Sequence, residues 1–149
     1  MRFIVVFVVA ACLAGCLTMQ VPERFIVIER GPGLLKALTP EESRIWVRDF
    51  DDDTQASIAF WKDALKADLL KNRGYTLVKE SPVQDGAGRQ GMALTLEATL
   101  GGRPVRELMA VFVIPGFLSN TIRVAEFVTD KEAFDAEVAG VAQALTTLH

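Results

Sequence analysis

Cysteine is absent after residue 16, and the single histidine is residue 149. The first absence excludes thiol catalysis, iron–sulfur clusters, cysteine-ligated zinc and any disulfide within residues 17–149, so that stretch must hold together by packing. The second leaves no histidine general base, no Ser-His-Asp relay and no multi-histidine metal site, since a lone histidine at a chain end is expected to fray. A phosphate-cradling loop of the Gly-x-x-x-x-Gly-Lys-Ser/Thr kind is missing too, and Gly31-Pro32-Gly33 does not replace its run of amides. No basic stripe occurs. Arg44, Arg48, Lys62, Lys66 and Lys71 are interspersed with Asp49, Asp51, Asp52, Asp53, Asp63 and Asp68, which argues against nucleic acid as a partner. The net charge of −3 is not gathered into a block long enough to force disorder.

What is present begins at the amino end. Arg2 is followed by an apolar run, Phe3 to Leu13, too short for a comfortable bilayer span and built like the core of a secretory signal. Leu13-Ala14-Gly15-Cys16 behind that run resembles the lipobox of bacterial lipoproteins. The resemblance implies thioether acylation of Cys16, with chains such as palmitate, and cleavage before it. Residues 1–15 are therefore expected to be a signal peptide, Cys16 the lipidation site and residues 16–23 a brief lipid-anchored tether. Each buried methylene contributes about 0.8 kcal/mol and two chains or more give stable anchoring. Leu17 after the anchor, where inner-membrane retention prefers Asp, points to the outer membrane, facing the periplasm. Without Arg2 the net charge becomes −4, and the remaining 134 residues suffice for one domain.

Residues 24–149 read as that single domain. Arg24 to Glu29 is the first strand candidate, broken at Gly31-Pro32-Gly33. Leu34 to Thr39 is expected as a turn or irregular crossing. Ser43 to Phe50 alternates, with Ile45, Val47 and Asp49 on one face and Arg44, Trp46 and Arg48 on the other, which suggests a strand near an edge. Asp52 and Gln55 form a capping-box pattern, predicting a helix over about 53–73 with an apolar stripe of Ile58, Trp61, Leu65 and Leu69 and a stop at Gly74. Tyr75 to Glu80 is a strand, and Ser81 to Gln90 a loop or a widened hairpin connection. Met92 to Leu100 and Arg103 to Ile114 are strands joined through Gly101-Gly102, the best hairpin signal in the chain. Pro104 is compatible only with a strand start or an edge. Ile122 to Val128 is the last strand. Thr129 and Glu132 suggest a second capping box, before a helix with Phe134, Val138, Val141, Leu145 and Leu148 on one face. The elements predict an α+β fold, an antiparallel β-sheet packed against amphipathic helices.

From about Phe60 to Leu148 this order resembles the Mog1/PsbP-like family. The resemblance rests on the helix ending near Gly74-Tyr75, the loop near Asp85-Gly86, the strand Met92 to Leu100, Gly101-Gly102, the strand Leu108 to Ile114 and the closing helix. It implies a Mog1/PsbP-like sandwich. It assigns no activity to identified residues, because the group spans small-GTPase binders, photosystem subunits and bacterial lipoproteins.

Candidate chemistry is sparse. Asp49, Asp51, Asp52 and Asp53 could offer oxygens for weak binding of a hard cation, but they lack the EF-hand glycine and distal glutamate, and capping and solvation account for them as well. Glu97 and Glu107 could pair across the hairpin as an acid–base couple if their register allowed it. Phe117 and Leu118, in Pro115-Gly116-Phe117-Leu118-Ser119-Asn120, are apolar residues in a loop. They either fold over the core or stand exposed for a protein partner or a lipid surface. No catalytic residue, metal site or cofactor emerges. The reading is a lipid-anchored cell-envelope binding or accessory protein without catalytic activity, with an envelope protein as partner. Its alternatives are an envelope hydrolase with a carboxylate-based site and a purely structural envelope lipoprotein.

Overall fold

A computed structural model describes residues 16–149. The expected signal peptide, Cys12 included, lies outside the described residues. Seven strands form one antiparallel sheet: β1 Ile26–Gly31, β2 Leu34–Leu38, β3 Arg44–Asp52, β4 Thr76–Gln84, β5 Gln90–Leu100, β6 Arg103–Ile114 and β7 Asn120–Asp130. Their spatial order is β1-β2-β3-β7-β6-β5-β4, so two meanders meet where β3 pairs with β7. Helix α1, Ile58–Ala67, continues as a π-helical turn, Asp68–Asn72, across one face of the sheet. Helix α2, Phe134–Leu145, crosses the other. Among the described residues no helix is long and apolar enough to cross a membrane.

Period-two alternation sorts each strand between the two layers. Leu94, Leu96, Met109, Val111, Ile122 and Val124 meet the stripe Ile58, Trp61, Leu65 and Leu69 of the first helical segment. Leu35, Ala37, Ile45, Val47, Leu108, Ala110, Phe112, Ala125 and Phe127 meet Phe134, Val138, Val141, Leu145 and Leu148. Both predicted helical stripes thus face apolar columns of the sheet. The hairpin at Gly101-Gly102 forms as expected, both glycines taking positive φ of 57° and 79°, as a two-residue turn requires.

Four local expectations are corrected. Leu34 to Leu38 is a strand, not an irregular crossing, with Leu35 and Ala37 fully buried between β1 and β3. The stretch 81–90 is a hairpin connection narrower than expected, since β4 runs to Gln84 and pairs with β5 down to Gln84–Gln90, leaving 85–89 as the turn. Helix α1 starts at Ile58, because Gln55 takes a left-handed φ of 51° and Ser57 is the residue whose hydroxyl accepts from the Phe60 amide. Thr129 stays in β7, where its hydroxyl lies 2.7 Å from that of Ser43, so α2 begins after Ala133 without a side-chain cap.

The stretch expected as a tether also differs. Leu17, Met19 and Phe25 are buried in the α2-side core. Thr18 and His149 exchange backbone hydrogen bonds of 3.3 and 2.9 Å. Apolar side chains two apart on an extended segment find a ready slot beside α2, and burying them outweighs leaving them in water.

Candidate functional site

The two faces of the sheet are covered unequally. On the α1 side the helical segment lies over β4 to β7, while the matching columns of β1 to β3 carry Ile26, Leu38, Lys36, Arg44, Trp46, Arg48 and Phe50, with no helix among the described residues above them. This explains the mixed faces of β3 noted in the sequence: the strand is internal, buried on its α2 side and open on the other. Ile26 is 65% exposed and Phe50 46%. Trp46 is flanked by cations, with the Arg48 guanidinium carbon 3.9 Å and the Lys36 ammonium 4.9 Å from its ring centroid.

Between this open half-sheet and the π-helical turn runs a cleft of about 230 Å³ lined by Arg44, Trp46, Arg48, Leu69, Arg73, Tyr75, Glu107, Met109, Glu126 and Val128. A second hollow of about 330 Å³ continues it past Phe50, Leu65 and Asp68. The π turn shapes the wall: the Arg73 amide donates to the Asp68 carbonyl at 3.2 Å, its side chain pairs with Asp68 at 2.8 Å, and the Tyr75 amide reaches the Leu69 carbonyl at 3.0 Å. Such turns recur at functional positions. Arg48 donates to Glu126 at 3.0 Å. Trp46 Nε1 and Arg48 Nε are buried and donate to no described protein group.

Glu107 forms the floor. It is 4% exposed, and its carboxyl is pushed up to about 7, chiefly by burial and then by the negative charge of Glu126, against the pull of Arg44 and Arg73. Burial, followed by Glu107, also raises the Tyr75 phenol. A carboxyl raised well above the ordinary range, an aromatic hydroxyl and three arginines therefore share one cleft.

Of the residues singled out from sequence, Glu107 lies in this cleft and the others fall elsewhere. Glu97 and Glu107 do not pair: Leu96 is the residue opposite Glu107, so Glu97 points to the α2 face, where it is bound by Arg106 and Lys131. The aspartates are distributed rather than convergent. Asp49 makes a two-pronged pair with Arg123 at 2.8 and 2.9 Å. Asp52 accepts from the Thr54 amide and hydroxyl, the Ala56 amide and the Trp61 indole. Asp51 and Asp53 are exposed. Among the described residues no group of three or more His, Cys, Asp or Glu side chains comes together to hold a metal ion. Phe117 and Leu118 stand out at 97% and 82% exposure, not folded over the core. Cys16 is an exposed free cysteine whose backbone forms an isolated antiparallel β-bridge with Pro32.

No family model matches the sequence, and no curated protein matches it either. Solved structures do. LpqN of Mycobacterium tuberculosis, described as involved in cell envelope biogenesis, superposes with a TM-score of 0.72 at 12% identity, over 89% of this chain and 82% of its own. The Saccharomyces cerevisiae Ran-binding protein Mog1p gives 0.58 at 15% identity, over 89% of each chain. A Pseudomonas aeruginosa protein of unknown function gives 0.58 at 14%, over 89% of this chain and 96% of its own. At these identities the likeness is one of architecture, and the architecture is the Mog1/PsbP-like sandwich: an antiparallel seven-stranded sheet between two helical layers.

Proposed function

We propose that the chain is an accessory domain of the cell envelope, anchored on the outer membrane by acylated Cys16 and facing the periplasm, that acts by binding an envelope protein rather than by catalysis. The observation that carries this reading is the half-sheet of β1 to β3 that no helix of the described residues covers. Its apolar residues Ile26, Leu38 and Phe50 and the cation-flanked Trp46 form one face, continuous with the cleft at Glu107. Aromatic and arginine side chains concentrated on an open surface are what protein interfaces select. The envelope role described for LpqN and the Ran binding described for Mog1p support the compartment and the mode of action, as properties of proteins with the same fold.

Two experiments test it. Labelled fatty acid enters the wild-type protein and not the Cys16→Ser form; equal labelling of both removes the anchor. A photoreactive residue in place of Phe50 cross-links one envelope protein in intact cells, and Trp46→Ala or Arg48→Ala reduces the yield several-fold. Failure to capture any specific protein returns the chain to a purely structural role.

A second reading rests on Glu107. A carboxyl that holds its proton up to about pH 7 inside a cleft has the protonation a general acid needs. A carboxylate-based hydrolase would lose its activity in Glu107→Gln, whereas a binding protein would keep its partner.

A further inference from the structure

Cys16 enters the structure at one particular end of the sheet. It bridges Pro32, in the turn between β1 and β2. The strand registers gather four other features at that end. The Asp49 amide bonds the Gly33 carbonyl at 2.9 Å, Asp52 stands opposite Asn120, Gly91 stands opposite Phe112, and the Gly86 amide bonds the Leu148 carbonyl at 2.9 Å. The β1–β2 turn, the end of β3, the loop 85–89 and the loop 115–119 therefore share it. Three strand spacings, roughly 14 Å, lie between the β1–β2 turn and the β6–β7 loop across the sheet, and the loop reaches roughly 10 Å further along the strands.

Two further observations bear on what this end meets. Cys16 has no slack behind it: Leu17 is 1% exposed, its amide bonds the Gly31 carbonyl at 3.3 Å, and Thr18 is tied to His149. An acyl group on Cys16 thus pulls this end of the sheet itself, not a remote tether, onto whatever holds the lipid. Phe117 and Leu118 are the most exposed large apolar residues described, and they project from the same end.

We propose that this end of the sheet faces the bilayer, with Phe117 and Leu118 inserted among the lipid headgroups beside the acylated Cys16. The inference rests on acylation of Cys16 as read above and adds the orientation and a second membrane contact. A lipid surface suits the tip better than a protein does. A phenylalanine covers at most roughly 150–250 Å², and two side chains at a loop tip fall far short of the roughly 800 Å² per partner of a stable protein interface. Interfacial apolar residues need reach only about 5–10 Å into the headgroup boundary. Exposed Asp51 and Asp53 at the same end favour zwitterionic over anionic lipid. The strands then run away from the membrane, and the open face of β1 to β3 is presented sideways to a neighbour.

The test uses the full chain isolated from envelope membranes and reconstituted in phosphatidylcholine vesicles, with a photoreactive phenylalanine at position 117 or, as the control at the opposite end of the sheet, at position 41. The mass of the amino-terminal peptide reports acylation of Cys16, and lipid adducts report docking. Docking predicts at least a five-fold excess of lipid adducts at 117 over 41. Acylated protein with equal adducts at both positions overturns the docking while leaving the anchor intact. An unmodified Cys16 overturns the anchor and the docking with it. Adducts at 117 to protein instead of lipid overturn the lipid contact and assign the tip to a protein partner.

Discussion

Glu107 and Glu126 face the same cleft from neighbouring strands, one diagonal step apart: Glu107 stands opposite Val128, and Glu126 opposite Met109. Glu126 is held by Arg48, and Glu107 is buried beside it with its proton retained to about pH 7. An acid whose folded pKa lies above its unfolded value stabilises the fold below the unfolded value and loses that contribution as pH rises through the folded one. From an ordinary 4.5 to about 7, the shift corresponds to about 3 kcal/mol lost across that interval. Glu107→Gln removes this loss. Urea unfolding of both proteins at pH 4.5 and pH 8 checks it: the variant gains on wild type by up to about 3 kcal/mol at the higher pH, and parallel pH profiles would falsify the buried-acid assignment.

Leu17→Ala separates a tether from a core segment. A residue on a tether tolerates the change, whereas a side chain 1% exposed between the sheet and α2 carries both transfer and cavity costs. The expected loss is about 2–5 kcal/mol in denaturant unfolding. A variant as stable as wild type would detach residues 17–25 from the core.

Gly91 stands opposite Phe112 in the β5–β6 ladder. A Cβ there meets the Val111 carbonyl oxygen at 2.5 Å and the Phe112 ring at 2.6 Å, and the carbonyl cannot swing aside without breaking the ladder. Gly91→Ala costs about 1–3 kcal/mol by overpacking, seen as a lower unfolding midpoint.

Phe117→Ser with Leu118→Ser leaves stability within about 0.5 kcal/mol of wild type, because neither side chain is packed. Thermal unfolding in the absence of lipid measures it. A large loss would mean that the tip braces the fold.

Calcium at millimolar concentration leaves the unfolding midpoint unchanged. Asp49 is committed to Arg123, and both Asp52 oxygens accept protein donors, so binding a cation would break bonds already made. A midpoint that rises with calcium would restore the acidic run 49–53 as a cation site.

Much of this was legible in the order of residues. Ile58, Trp61, Leu65 and Leu69, and again Phe134 to Leu148, mark helices whose single apolar faces require a sheet between them. The meander from β5 to β7 follows from alternation and Gly101-Gly102. β2 was not legible, because Leu34-Leu35-Lys36-Ala37-Leu38 is apolar at nearly every position and its face is chosen only by the strands on either side. The start of α1 was misplaced because a capping box describes one local exchange of hydrogen bonds, and here Asp52 gives its oxygens to Thr54, Ala56 and the distant Trp61 instead. The cleft was half visible. Val105, Glu107, Met109, Val111 and Val113 share one face of β6, and the single acid in that apolar column is the signal that a buried carboxyl was to be found. Its company, Arg73 and Tyr75 just past the π turn and Arg44 from β3, comes together only in three dimensions.

The junction of β3 with β7 bears on how the molecule forms. Every other ladder in the sheet joins strands that follow one another in the chain, so each meander can close its own short loops early. β3 and β7 must instead bring Arg44 to Val128 and Asp52 to Asn120 across everything between. Contacts between distant segments are the slow ones in folding. The closing of that seam is therefore the expected rate-limiting event, and until it happens β7 presents an unpaired, strongly apolar edge. Until that seam closes, the open β7 edge is where the folding chain is most exposed to aggregation.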